Sequence, residues 1–316
     1  MTDAWVAELG RSCPGRVMVN EPLAPFTTYR IGGPADALLE PESVADVQRA
    51  FGVVRRYGIP WVVLGLGSNV LVADAGFRGL VVRIGRALSA VREHAGGWEV
   101  GAGLPTPHLA RRSARSGMAG VQRLVGVPGT VGGGVYMNAG AHGQEYRQVV
   151  RSVTLVRDDG TVEERPAAAI PWRYRSSGLR EVVVIAADLD LAPADPARLT
   201  AEIVEHLRWR KAGTPFSEAC CGSVFRNPTE AIVLPPDAAG GEPRELRTAG
   251  RLIDAAGLKG FRLGGAAVSP MHANYIVNVG EASAADVRRV MDAVRDRVRR
   301  RFGVTLELEV QLIGSP

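Results

Sequence analysis

Residues 126–143 read GVPGTVGGGVYMNAGAHG, and no other stretch constrains this chain so strongly. Glycine has no Cβ, so its backbone can take positive φ and can lie directly against a ligand. With Pro128 inside it, so dense a run is expected to form neither a regular helix nor a regular strand. Val127, Val131, Val135 and Met137 stand between the glycines, which argues against a bare linker. The use that fits is a row of unobstructed N–H groups offered to a pyrophosphate. The spacing matches neither GxGxxG after a strand nor the P-loop pattern, so those two phosphate fingerprints are excluded.

A second glycine turn, Gly65-Leu66-Gly67-Ser68-Asn69, lies between the apolar stretches Trp61–Leu64 and Val70–Val72. Strand, turn, strand suits a phosphate-binding turn and a plain hairpin equally. Upstream, Thr27–Asp36 (TTYRIGGPAD) reads as a short strand with a sharp Gly-Gly-Pro turn. Ser43 and Asp46 form a capping box, and Val44, Val47, Phe51 and Val54 recur at helical spacing until Gly58. Further helices are expected over 107–116, 196–210 and 250–257, and from the Ser283–Asp286 capping box onward. Asp158-Asp159-Gly160-Thr161 is a hairpin turn, and Glu181–Leu191 is a long buried strand. Lys211–Pro215 reads as a break, and 229–247 as an exposed loop. In the last stretch Val304, Leu306, Leu308, Val310 and Leu312 share one strand face, with Thr305, Glu307, Glu309 and Gln311 on the other.

A chain of 316 residues, 46% hydrophobic and 22% charged, has room for two or three ordinary globular domains. The net charge of +5 comes with no basic stripe interleaved with aromatics, so nucleic acid is not an expected partner. No apolar run approaches the ~18 residues of a membrane span, and the N-terminus has no signal-peptide pattern. Three cysteines, an odd number, point away from a disulfide framework and toward the cytoplasm. No Cys or His spacing suits a metal.

Taken in order, TTYRIGGPAD, LGLGSNVLVADAGFRGLVV, the 126–143 stretch, YRSS, GSVFRNP, AGRLIDAAGLKGFRLGGAAVSPMHANYIVN and FGVTLELEVQLIG resemble the UDP-N-acetylenolpyruvoylglucosamine reductase (MurB) family. The Tyr-Arg-x-Ser spacing resembles its shorter, second type. The resemblance spans about Asn20 to Gly314. It implies an α+β chain with the vanillyl-alcohol-oxidase/PCMH-type FAD-binding fold. Two α/β subdomains, 1–85 and 86–210, would bind the flavin, and an α+β domain over 211–316 would take the substrate. It also implies a monomer with non-covalent FAD, and NADPH as co-substrate. The expected reaction is reduction of UDP-N-acetylglucosamine enolpyruvate to UDP-N-acetylmuramate. No histidine lies near the first glycine turn to attach a flavin, and His142 alone stands close to a glycine loop.

The resemblance assigns roles residue by residue. Cofactor contacts would come from Tyr29, Arg30, Ile31, Gly65, Gly67, Ser68 and Asn69. Others would come from Val127, Pro128, Gly129, Thr130, Gly132, Gly133, Asn138, Ala139 and Gly140. Hydride entry at the terminal enolpyruvyl carbon puts negative charge on the neighbouring carbon and its carboxylate. Ser223 would give the proton and Arg175 would hold the carboxylate, a task that suits a planar fork of donors. Glu309 would orient the substrate or polarise the enolate. Tyr174, Lys211, Asn227 and His272 are substrate-side candidates. Cys220-Cys221 reads as two packed thiols. Two departures from the family pattern stand out: the 229–247 loop is long, and Gly134 occupies a place where alanine is usual. A related enolpyruvyl or nucleotide-sugar substrate, or flavin binding without catalysis, stays open at this point.

Overall fold

The computed structural model describes residues 2–13, 16–234 and 244–315. The chain divides into two compact units, one of residues 1–22, 34–66 and 77–212 and the other of 23–33, 67–76 and 213–316.

The first unit holds two sheets on one core. In the first sheet the strands run in the order Arg16–Pro22, Pro34–Glu40, Phe77–Arg83, Trp61–Leu64. The last three are parallel, and the first is antiparallel to its neighbour. Helix α2 (Val44–Tyr57) makes the crossover that parallel strands require. Its capping box forms as expected: the Ser43 side chain accepts from the Asp46 N–H, and Gly58 ends it at φ +62°. Helix α1 (Thr2–Ser12) adds Trp5 and Leu9 to the same core.

The second sheet is antiparallel throughout, in the order Val162–Pro166, Val150–Arg157, Val182–Asp190, Gly97–Gly101, Val91–His94. Its middle strand, Val182–Asp190, is the expected apolar run, buried along most of its length. The 158–161 hairpin joins two of its strands as the sequence suggests. Helix α3 (Thr106–Arg115) flanks it, followed by a short helix α4 (Val131–Tyr136) and the long α5 (Pro196–Gly213). Two expectations change here. A helix does form within the glycine-rich stretch, and α5 continues through Lys211 to Gly213, so the expected break at Lys211 moves to its end.

The second unit is built on α6 (Ala249–Ala255), α7 (Ala284–Phe302) and a small antiparallel sheet of Arg262–Leu263, Ala266–Val268 and Ile276–Asn278. Val287, Val290, Met291, Val294 and Val298 of α7 form the buried stripe that the sequence spacing foretells. Segments 23–33 and 67–76, which the sequence reading places in the first subdomain, pack in this unit. The cause is pairing: Val70–Val72 lies parallel to Gln311–Ile313. Asp74, in the same segment, accepts the Ala284 and Ala285 N–H groups at 2.7 and 3.0 Å and so caps α7 from a distant part of the chain. Ser283 and Asp286 supply the expected capping box at the same end. The Asp286 carboxyl is held down to about 2 by the Gly265 N–H, the Arg289 guanidinium and the Ser283 N–H.

The final stretch is not one strand. Residues 304–310 keep the expected alternation, with Leu306 and Val310 buried, but among the described residues they pair only through a bridge from Leu308 to Phe225. The phase then slips: Ile313 is buried and Leu312 is exposed. The loop expected over 229–247 begins and ends as a hairpin, Ile232–Leu234 against Arg244–Leu246, while 235–243 lie outside the described residues.

Replacing Asp74 by alanine leaves two helix-end N–H groups without their carboxylate. The expected loss is about 1–2 kcal/mol of stability, with Asp74→Asn losing less. Urea unfolding of both variants checks this, and an unchanged midpoint for Asp74→Ala contradicts it.

Candidate functional site

In the second unit, residues 67–69 of the first glycine turn are clasped from one side and tied from the other. The Thr28 N–H and hydroxyl both donate to the Gly67 carbonyl, at 3.1 and 3.2 Å. Gly67 has φ +62°, and a Cβ there would stand 2.2 Å from the Phe26 carbonyl oxygen, so only glycine fits. On the far side the Asn69 amide donates to the Glu309 carbonyl at 3.2 Å, and the Gln311 N–H donates to the Asn69 carbonyl at 2.9 Å. The backbone N–H groups of Gly65, Leu66, Gly67, Ser68 and Asn69 donate to no acceptor among the described residues.

The same ladder continues to the proposed acid. The Glu309 N–H donates to the Val224 carbonyl at 2.8 Å. Val224 and Phe225 are fixed on Asn274, whose side chain both accepts the Phe225 N–H and donates to the Phe225 carbonyl. Ser223 precedes this anchored pair, and Gly222, at φ +81°, turns beside the Ser68 carbonyl. Ser68, Asn69, Ser223 and Glu309 are therefore neighbours, although they are far apart in sequence.

The Tyr29 side chain is not available to a ligand, because its ring is fully buried beside Cys221 in the core of this unit. Burial pushes the Cys221 thiol far up, so Cys221 is an inert packed thiol, with Cys220 partly buried next to it. Ile31 is buried too, whereas Arg30 is exposed at φ +56°. Asn227 and His272 have structural work. Asn227 Oδ1 accepts the Ala249 N–H at the start of α6 at 3.1 Å, and His272 Nδ1 accepts the Asn274 N–H at 3.2 Å. Burial lowers the His272 pKa, which favours the neutral ring that this acceptor role needs.

In the first unit the glycine-rich stretch differs from expectation in a specific way. The Thr130 hydroxyl caps α4 by accepting the Gly133 N–H at 3.4 Å. The Val131 and Gly132 N–H groups go to the Leu104 and Ala102 carbonyls, and the Gly134 N–H goes to the Thr130 carbonyl. These amides are taken, so they are not the open row that the sequence suggests. The glycines serve close packing instead. A Cβ on Gly132 would lie 2.8 Å from the Ala102 Cβ, one on Gly65 2.7 Å from the Thr130 hydroxyl, and one on Gly134 2.3 Å from the Tyr146 ring. Tyr146 cannot yield, being fully buried with its hydroxyl 2.8 Å from that of Thr106. This accounts for glycine at position 134 in this chain. Gly133 is different: it is exposed, and an added Cβ would meet only the Thr130 hydroxyl at 3.7 Å. Val127 and Thr130 are buried, whereas Pro128 is exposed.

Arg175 sits at φ +55° in a tight turn closed by reciprocal hydrogen bonds between Arg173 and Ser176. Its guanidinium reaches the Gly140 carbonyl at 3.3 Å and stands 3.6 Å from Glu145 Oε1. It also lies 4.7 Å from the centre of the half-exposed Tyr174 ring. Asn138, at φ +42° and fully buried, spends its side chain on protein groups: Glu145, the Arg173 carbonyl and the Arg147 N–H. Arg30, Asn138 and Arg175 are at positive φ, as are Asn20, His142, Glu181 and Glu281 among the described non-glycine residues. Lys211 is exposed in the last turn of α5. Glu145 and Thr28 were missed from sequence. Thr28 had a signal in the Gly67 turn, which needed a partner for its carbonyl, but Gln144-Glu145 reads as ordinary surface. Among the described residues no His, Cys, Asp and Glu group is arranged to hold a metal, and no helix is long and apolar enough to cross a membrane.

Comparison with known proteins meets this geometry. A sequence model described as "UDP-N-acetylenolpyruvoylglucosamine reductase, C-terminal domain" matches residues 214–313, and one for an FAD binding domain matches 35–165. The chain is 38% identical over 313 residues to UDP-N-acetylenolpyruvoylglucosamine reductase of Bacillus subtilis, covering 98% of each. It is 42% identical over 303 residues to the reductase 2 of Symbiobacterium thermophilum, covering 95% of this chain and 93% of the relative. The crystal structure of the Thermus caldophilus MurB matches with a TM-score of 0.76 at 32% identity, covering 95% of this chain and 99% of that one.

The packing around the glycine triplet separates two substitutions. Gly134→Ala forces a methyl group into the Tyr146 ring and is expected to cost about 1–3 kcal/mol. Gly133→Ala makes only an ordinary contact with the Thr130 hydroxyl and is expected to leave stability unchanged or raise it by up to about 1 kcal/mol. Unfolding of the two proteins without added flavin tests the difference, and equal losses would contradict it.

Proposed function

The chain belongs to the UDP-N-acetylenolpyruvoylglucosamine reductase family, and we propose on that premise a division of labour among its site residues. It is an FAD-dependent oxidoreductase of the vanillyl-alcohol-oxidase-type fold. It reduces UDP-N-acetylglucosamine enolpyruvate to UDP-N-acetylmuramate with NADPH, a step of peptidoglycan precursor synthesis. Our reading adds a cytoplasmic location and a monomeric state.

The residues present fit FAD. The unengaged amides of Gly67, Ser68 and Asn69 suit its diphosphate, and the bare face of α4 at Gly133 suits its flat ring. When bound, FAD supplies hydride transfer, from NADPH to the terminal carbon of the enolpyruvyl group.

The protein's own groups handle charge and proton. Arg175 holds the substrate carboxylate and stabilises the charge that grows on it, which a planar guanidinium does through paired N–H donors. The Ser223 hydroxyl gives its proton to the carbon next to that carboxylate. Serine is a weak acid, but an enolate-like carbon is a strong base, so placement decides the outcome. Glu309 orients the substrate from a backbone held at both its N–H and its carbonyl. Tyr174 and Lys211, both exposed, are the substrate-side contacts that best match a UDP-sugar.

The observation that carries this reading is the ladder from Asn69 through Glu309 to Val224. It ties the Glu309 backbone, and the residue that follows Ser223, to the turn that carries the amides suited to the cofactor, which supports the assignment. In Ser223→Ala, NADPH should still reduce the bound flavin at the parental rate. Reoxidation by UDP-N-acetylglucosamine enolpyruvate should slow by about 10²–10⁴-fold. Rapid-mixing absorbance of the two half-reactions separates them, and undiminished reoxidation would remove Ser223 from this role.

A further inference from the structure

Glu145 has no role in the reading above, yet three donor side chains face its carboxylate. Its Oε2 accepts from Asn138 Nδ2 at 3.1 Å and from Arg147 Nε at 2.8 Å, and its Oε1 faces Arg175 Nη1 at 3.6 Å. Only 18% of its side chain is exposed, and 20% of that of Arg175.

The support is layered. Asn138 is fully buried, and the same Nδ2 that binds Glu145 donates to the Arg173 carbonyl at 2.9 Å, within the turn that carries Arg175. Its Oδ1 accepts the Arg147 N–H at 3.0 Å. The carboxylate is thus fixed to the backbone on both sides of Arg175's surroundings. Glu145 also pairs directly with Gly140 across the small hairpin of 140–141 and 144–145. The Gly140 carbonyl is the acceptor for Arg175 Nη2 at 3.3 Å. Both anchors of the guanidinium therefore come from facing positions of one ladder.

We propose that Glu145 is a positioning residue that sets the plane and location of the Arg175 guanidinium for the substrate carboxylate. An arginine side chain has several free torsions, and its fork recognises a carboxylate only in the right plane. At 3.6 Å Glu145 Oε1 attracts Arg175 Nη1 by charge and biases where the fork points. The strained αL backbone at Arg175 sets where the side chain starts, and Glu145 with Gly140 sets where it ends.

This inference rests on the assignment of Arg175 to the substrate carboxylate, and the test separates the two. Glu145→Gln keeps the acceptor for Asn138 and removes the charge; Glu145→Asp keeps the charge. Calorimetry would measure the affinity of the oxidised FAD-loaded protein for UDP-N-acetylglucosamine enolpyruvate, with no turnover. Glu145→Gln should weaken binding and raise KM about tenfold, the scale of one interaction with a charged group. FAD content, the rate of flavin reduction by NADPH and the unfolding midpoint should stay at parental values. Glu145→Asp should recover part of the affinity. Arg175→Ala should weaken binding at least as much, and adding Glu145→Gln to it should cost nothing more. Unchanged binding by Arg175→Ala would overturn the role of Arg175 itself. Weak binding by Arg175→Ala with normal binding by Glu145→Gln, additive losses, or loss of FAD and stability in Glu145→Gln would overturn the positioning role alone.

Discussion

The second unit depends on the pairing of residues 67–76 with the C-terminal segment. Val70–Val72 runs parallel to Gln311–Ile313, Asn69 is held between Glu309 and Gln311, and Asp74 caps α7. Every one of these contacts joins residues more than two hundred positions apart. Their net energies are individually small, but they act on a turn whose shape glycine alone permits. The consequence is chemical. A turn with unengaged amides is tied to the backbone of Glu309, and through it to the residue that follows Ser223.

The first unit is organised in a different way. Its glycines are chiefly packing residues, and its functional geometry comes from non-glycine residues held at positive φ. Asn138 and Arg175 both adopt that conformation, and a carboxylate linked to both lies between them. Such strain persists only where the surroundings over-determine it. Here the surroundings are hydrogen bonds to a fully buried amide and a hairpin ladder. Rigid support of this kind suits the carboxylate-binding role proposed for Arg175, which depends on the direction of its donors.

Local chemistry was legible from sequence. The caps at Ser43 and Ser283, the glycine stop at Gly58, the hairpin at 158–161 and the buried strand near 182–190 all follow from neighbouring residues. The ordered motifs that single out Ser223, Arg175 and Glu309 were legible too, while the nearness of Ser223 and Glu309 was not, since it comes from the backbone link between Glu309 and Val224. What escaped is what distant partners decide. Helix α4 was hidden because its glycines are demanded by Ala102 and Tyr146, and because its amides find carbonyls at Leu104 and Ala102. The last strand loses its regularity because its partners are Phe225, Val224 and Asn69, each reached separately. Tyr29 looked like a ligand contact by position, but its ring completes a core with Cys221. Glu145 left no local mark, since its role exists only once the backbone turns at Asn138.

The central claim is that bare main-chain amides at the first glycine turn, rather than those of the glycine-rich helix, receive the cofactor's diphosphate. Amide hydrogen exchange with and without FAD measures this most directly. The Gly67–Asn69 amides, which have no acceptor among the described residues, should exchange fast in the flavin-free protein and slow strongly when FAD is added. Those of Val131–Gly134, already bonded, should be slow in both. Exchange at Gly67–Asn69 that FAD leaves unaltered would contradict the account.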